Sequence, residues 1–137
     1  MISVEDADFI DLPEYALLEI DELGKMEPFS HTRIRKDWLY TTLGESNGLW
    51  LARLPAPYDA ASLNTGTPLI CKDHGKGERM IDGTHYLFRV NGGITMARFA
   101  LRDAGGTDRV VLSRDLGHDE DQYQTVARVV GVLAHPI

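Results

Sequence analysis

The chain has 137 residues, 43% of them apolar, and a net charge of −7 from 14 basic and 21 acidic side chains, enough material for one domain around one core. That balance argues against non-specific binding of nucleic acid, which needs clustered Lys and Arg against phosphate. A single cysteine, Cys71, excludes an internal disulfide and fits a reducing compartment.

The first stretch, Asp8-Phe9-Ile10-Asp11-Leu12-Pro13, nearly alternates apolar and polar residues before a proline, which predicts a short edge strand. Next comes the locally basic segment Phe29 to Tyr40. Its second half predicts one short helix ending at Gly44, with Ile34, Trp38 and Leu39 on one face. From Leu49 to Leu54 the period shifts to two, the mark of a buried strand, until Pro55, Pro57 and Tyr58 interrupt it.

Pro68 to Cys71 is a short apolar run before the polar, glycine-bearing loop Lys72 to Glu78, after which a further strand is expected. Strands are predicted at Tyr86 to Val90 and Ile94 to Leu101, joined through Asn91-Gly92-Gly93, whose glycines suit a tight hairpin. Val110 to Ser113 and the valine-rich Val126 to Ala134 complete the set. The expected architecture is a mainly β single domain, residues 1–137, with one or two short helices.

Few residues form a compact chemical motif. Cys71, His74 and His85 have ligand chemistry, but no second compact ligand pair accompanies them, so a packed cysteine beside a solvated histidine is expected and no metal or cofactor. The acidic turn His118-Asp119-Glu120-Asp121 lacks the alternating oxygen ligands of a calcium loop. Arg33, Arg35 and Lys36 stand beside Asp37 and give a weak field for phosphate, and the glycines of Gly75-x-Gly77 and Gly92-Gly93 read as turn residues. Trp38 and Trp50 sit among apolar neighbours, as core anchors do.

The order of these segments resembles the carboxy-terminal domains of LexA-like regulators and phage repressors, of the LexA/signal-peptidase-like superfamily. The resemblance runs through Leu12-Pro13-Glu14-Tyr15, Phe29, Asp37-Trp38-Leu39, Leu43-Gly44 and the strand Leu49 to Leu54. Where that family carries Gly-Asp-Ser-Met-Glu-Pro, then a leucine and Gly-Asp, this chain has Ala56-Pro57-Tyr58-Asp59-Ala60-Ala61, Leu63 and Gly66-Thr67. The family's Val-Lys-Arg becomes Met96-Ala97-Arg98, and its closing strands resemble Val111-Leu112-Ser113 and Val129-Val130-Gly131-Val132. The resemblance therefore places Tyr58 at the nucleophilic serine and Ala97 at the basic lysine.

A Ser-Lys hydrolase needs a hydroxyl nucleophile and a neutral lysine to take its proton, and alanine accepts none. The segment matching the family's cleavage loop, Leu18-Glu19-Ile20-Asp21-Glu22-Leu23-Gly24, offers no small scissile pair, and entry of Asp21 or Glu22 into a narrow site would bury a charge. The resemblance thus implies a non-enzymatic self-association domain of a repressor-like regulator, with Tyr58 and Ala97 as degenerate equivalents of the catalytic pair. Its expected partner is a second copy, as a dimer through a sheet edge bearing Val129, Val130 and Val132.

Two other readings stay open: a peptidase with a displaced Ser62 and Lys72 dyad, and a free-standing module that captures a peptide or protein in the degenerate cleft. No helix-turn-helix is visible, so DNA contact is expected only through a separate domain. No stretch nears the roughly 18 apolar residues of a membrane helix. The start, Met1-Ile2-Ser3-Val4-Glu5-Asp6, lacks the basic then apolar order of a secretion signal, so a cytoplasmic location is expected.

Overall fold

The computed structural model describes residues 8–17, 27–58, 61–75, 78–90, 93–101, 108–111, 123–133 and 135–136. Its strands are β1 (Phe9–Glu14), β2 (Ser30–Arg35), β3 (Leu49–Arg53), β4 (Pro68–Asp73), β5 (His85–Val90), β6 (Gly93–Leu101), β7 (Asp108–Val111), β8 (Tyr123–Val132) and β9 (His135–Pro136). The helix α1 (Lys36–Leu43) follows β2 directly. The fold is mainly β with one short helix among the described residues, as the alternating pattern led one to expect.

Among the described residues all nine strands join one sheet in the order β2-β1-β3-β4-β8-β5-β6-β7, with β9 added to β8. Pairing is antiparallel except where β1 meets β3, a parallel contact confined to Glu14 opposite Leu51. The segment Ser30–Arg35, read from the sequence as part of a basic stretch, is instead the outer strand. β1 lies inside it and is not the edge. Pro13 is tolerated there because most of β1's second side meets no strand in the ladder, so its missing N–H forfeits little.

Strand alternation divides the core between the two faces of the sheet. On the first face, Trp50 and Ala52 of β3, Leu69 and Cys71 of β4, Ala127 and Val129 of β8, Leu87 of β5 and Met96 of β6 form one cluster, covered by Leu17, Leu54, Tyr58 and Leu63. On the second face, Leu49, Leu51 and Ile70 pack with Leu12 of β1 and Leu39 of α1. Tyr86, Phe88, Ala97 and Phe99 form a separate cluster there, with Met80 packed against it. Every residue of β3 but Arg53 is buried, since both faces of the strand are covered.

α1 explains its own limits. Arg35, still extended, leads into it without a side-chain cap, and Asp37 in the first turn accepts the Trp38 N–H at 2.8 Å. The Arg35 guanidinium, hydrogen bonded to Asp37, holds that carboxyl below its usual range. Gly44 ends the helix at φ 81°, and its N–H donates to the Tyr40 carbonyl at 3.0 Å. Trp38 and Leu39 then face the Leu49–Leu51 cluster, together with Ile34 from β2.

The expected association strand requires correction. β8 is the central strand, flanked by β4 on one side and by β5 and β9 on the other, so the stretch that carries Val129, Val130 and Val132 offers no free edge. Val129 and Val132 are each 3% exposed within the first-face core, and Val130 packs half-buried against the second. A valine-rich run at alternate positions describes a strand buried on both faces as well as it describes a sticky edge. Here the former applies.

One polar group breaks the pattern of satisfied interiors. Arg128 of β8 stands opposite Lys72 of β4 and Tyr86 of β5, and its fully occluded Nε has no hydrogen-bond partner among the described residues. Lys72 turns instead to Glu45 at 2.7 Å. An unpaired buried N–H on a permanent cation costs about 1–3 kcal/mol. Arg128→Met keeps the length of the side chain without that donor, so its thermal midpoint is expected to rise; a midpoint at or below the parent's would mean that the arginine is compensated.

Candidate functional site

The residues that the resemblance assigned to one site lie on opposite faces of the sheet. Tyr58, 4% exposed, packs in the first-face cluster with Met96. Ala97, the next residue along β6, is 0% exposed and packs with Tyr86 and Phe99 on the second face. Successive residues of a strand point in opposite directions, so no side chain at position 97 on this backbone meets Tyr58. Nor does position 97 line an open cleft: a bulky substitution there overpacks the aromatic cluster instead of blocking a ligand.

Tyr58 is held by a tight backbone exchange. Its N–H donates to the Leu63 carbonyl at 2.9 Å, and its carbonyl accepts the Leu63 N–H at 3.0 Å and the Ala61 N–H at 3.3 Å. Ser62, within this turn, has φ 55°, a left-handed conformation that is sparsely populated by residues other than glycine. Ser62 is exposed. Lys72 belongs to the other face, alternating with Leu69 and Cys71, and its ammonium is ion-paired with Glu45.

What does meet Tyr58 is the β5–β6 hairpin. Val90 opposes Gly93 at its closed end, and the same register brings His85 opposite Arg98. The Tyr58 and His85 rings stand edge to face with centroids 5.5 Å apart. Arg98 is exposed and acts electrostatically on both rings. Burial pushes the Tyr58 phenol above its ordinary value, which the nearby guanidinium partly opposes. Burial and then Arg98 both push the His85 imidazole below its ordinary value, favouring the neutral ring.

None of these three side chains hydrogen bonds or ion-pairs with the described residues. That sets them apart from the other buried polar aromatics. Trp50 Nε1 donates to Asp73 at 2.9 Å, and the Tyr86 hydroxyl accepts the Ile81 N–H at 3.0 Å. The Tyr58 hydroxyl is not among the fully occluded unpartnered atoms, so it retains contact with solvent. Tyr58, His85 and Arg98 thus form a cluster of uncommitted polar groups over an apolar floor that includes Leu87 and Met96.

These shifts set a pH dependence. A His whose folded pKa lies below the unfolded value, 6.5, adds stability that is complete above that value and is lost as pH falls through the folded one. A Tyr whose folded pKa is raised adds stability complete below 10.0 and lost as pH rises through the folded value. Denaturant titrations across pH are expected to fall off at both ends. His85→Gln should flatten the acid limb between pH 6.5 and the folded value, and an unchanged limb would remove His85 as its source.

The remaining candidates separate. Cys71 is buried on the first face, whereas His74 sets its ring against Tyr86 on the second, 5.5 Å between centroids. Among the described residues no group of three or more His, Cys, Asp or Glu side chains converges on a point. Arg33 lies 4.9 Å over the Phe9 ring, and Arg35 is committed to Asp37. Asp21, the rest of Leu18–Gly24 and the turn at His118–Asp121 lie outside the described residues. No helix among the described residues is long and apolar enough to cross a membrane. No protein-family model matches the chain, and no curated protein sequence matches it.

Sequence reading missed Arg98 as a site residue. Its signal was present: counting outward from a two-residue hairpin turn puts His85 opposite Arg98, and the shared parity of Met96 and Arg98 puts both on one face. Tyr58 was singled out from the sequence, but its neighbours were sought at the wrong parity.

Proposed function

We propose that the chain is a non-cleaving, LexA-like regulatory domain that acts by associating with a second copy, any DNA contact being made by a separate domain in the cytoplasm. The observation that carries the non-cleaving part is the separation of Tyr58 from Ala97 by the sheet itself. The nearest cation to Tyr58 in the site is the guanidinium of Arg98, which does not give up its proton near neutral pH and so cannot serve as the base. The displaced pair fares no better, because Lys72 is ion-paired on the face opposite the Tyr58–Leu63 turn.

Self-association must then use a surface other than β8. Phe29, 64% exposed at the start of the outer strand, and Tyr40, 56% exposed on α1, are large apolar side chains available for it. Light scattering at high micromolar concentration should detect a dimer or larger species, and Phe29→Ser with Tyr40→Ser should weaken it. A strictly monomeric parent overturns the association reading. Prolonged alkaline incubation should leave the intact mass unchanged; a fragment lost in Ser62→Ala would overturn the non-cleaving reading.

A further inference from the structure

We infer that the Tyr58–His85–Arg98 cluster is a binding site for a carboxylate monoanion. Tyr58 is 4% exposed, and its hydroxyl, the part that retains contact with solvent, forms no hydrogen bond with the described residues. Beside it are an imidazole and a guanidinium in the same uncommitted condition, brought together by the His85–Arg98 register and the Tyr58–His85 ring contact. Three groups able to donate stand together on the first face, and an acceptor-only anion is what would satisfy all three.

The charge selects the class of anion. Arg98 supplies one permanent positive charge, and its planar fork matches a carboxylate in two parallel hydrogen bonds. The neutral imidazole adds an N–H without a second charge, and the phenol adds an O–H. A single cation with two neutral donors suits a monoanion; a phosphate dianion calls for more positive charge, and a nucleic acid strand for a run of it. Leu87 and Met96, buried beneath the polar groups, give them a packed apolar base that keeps water from their underside. The strained Ser62 turn fixes the Tyr58 backbone, so that the phenol is positioned before a ligand arrives.

This inference does not rest on self-association, and the two fail separately: one is read by particle size, the other by ligand titration. The intact chain is titrated with acetyl-Ala-Glu-Ala-amide while the His85 ring is followed by NMR, with acetyl-Ala-Gln-Ala-amide and inorganic phosphate in parallel. The glutamate peptide should give a saturable shift and raise the His85 pKa, because a bound anion beside the ring favours its charged form. The glutamine peptide and phosphate should bind at least about tenfold more weakly.

Arg98→Gln, at an exposed position, should keep the parent's thermal midpoint and lose about tenfold or more in glutamate-peptide affinity. Tyr58→Phe should lose less, since it removes one neutral donor. Glutamate and glutamine peptides that shift His85 alike, an Arg98→Gln chain that binds as the parent does, or tighter binding of phosphate each overturn the proposal. So does the absence of saturation with the glutamate peptide.

Discussion

Val129→Asp is expected to unfold the domain rather than to release a monomer from a dimer. Val129 stands in the middle of the central strand, opposite Cys71 on one side and His85 on the other, and is 3% exposed. An aspartate there puts a carboxylate among Trp50, Leu87 and Ala127. The charge would have to be neutralised by an upward shift of its pKa or to protonate the His85 ring opposite, which burial and Arg98 hold neutral, and either course is costly. A loss of roughly 4 kcal/mol or more is a large part of a typical domain's stability. Circular dichroism melts should show a lost or much lowered transition. A folded monomer with the parent's midpoint, alongside a parent that dimerises, would return the strand to the role of interface.

Tyr86→Ala should be the most costly truncation in the second-face aromatic cluster. Tyr86 is 1% exposed and touches three rings, with centroids at 5.5 Å for His74, 5.9 Å for Phe88 and 6.4 Å for Phe99. Removing a ring from such a position costs about 3–5 kcal/mol, from lost burial and the cavity left behind. Tyr86→Phe isolates the hydroxyl, which accepts the Ile81 N–H. Ile81 is exposed, so water can replace that bond, and a loss of about 1 kcal/mol is expected. Chemical denaturation of the two variants gives the split. Equal losses would mean that the hydroxyl, not the ring, holds the segment before β5 in place.

The fold was legible wherever a strand alternates against one recognisable core. Leu49 and Leu51 facing away from Trp50 and Ala52 follow from period two, and Asn91-Gly92-Gly93 marks a hairpin, although Gly93, read as part of the turn, pairs with Val90 as the first residue of β6. β2 was not legible, because Ser30-His31-Thr32-Arg33-Ile34-Arg35 carries one apolar residue, and an outer strand needs little more. The position of β8 was not legible either. Which strands flank a valine-rich run is decided by pairing across long sequence separations, and no local pattern records that choice.

The site divides in the same way. Tyr58 was visible as an aromatic hydroxyl where the resembling family has its serine. Its true neighbours were hidden by parity, since one step along β6 exchanges Ala97 for Arg98 and one face for the other. Arg128 could not be read at all from the sequence. An arginine between Ala127 and Val129 reveals its orphaned Nε only when Lys72 and Tyr86 are seen opposite it.

The order in which the strands are made also matters. β4 and β5 leave the ribosome well before β8, yet they are joined only when β8 enters between them and pairs with both. During synthesis the apolar sides of Ile70, Cys71, Leu87 and Phe88 must wait, with their backbone N–H and C=O groups unpaired on the flank that β8 will occupy. A nascent chain stalled before Tyr123 is therefore a natural client for chaperones, and a natural seed for aggregation. The arrival of β8, rather than the making of any earlier element, becomes the event that lets the two halves of the sheet close.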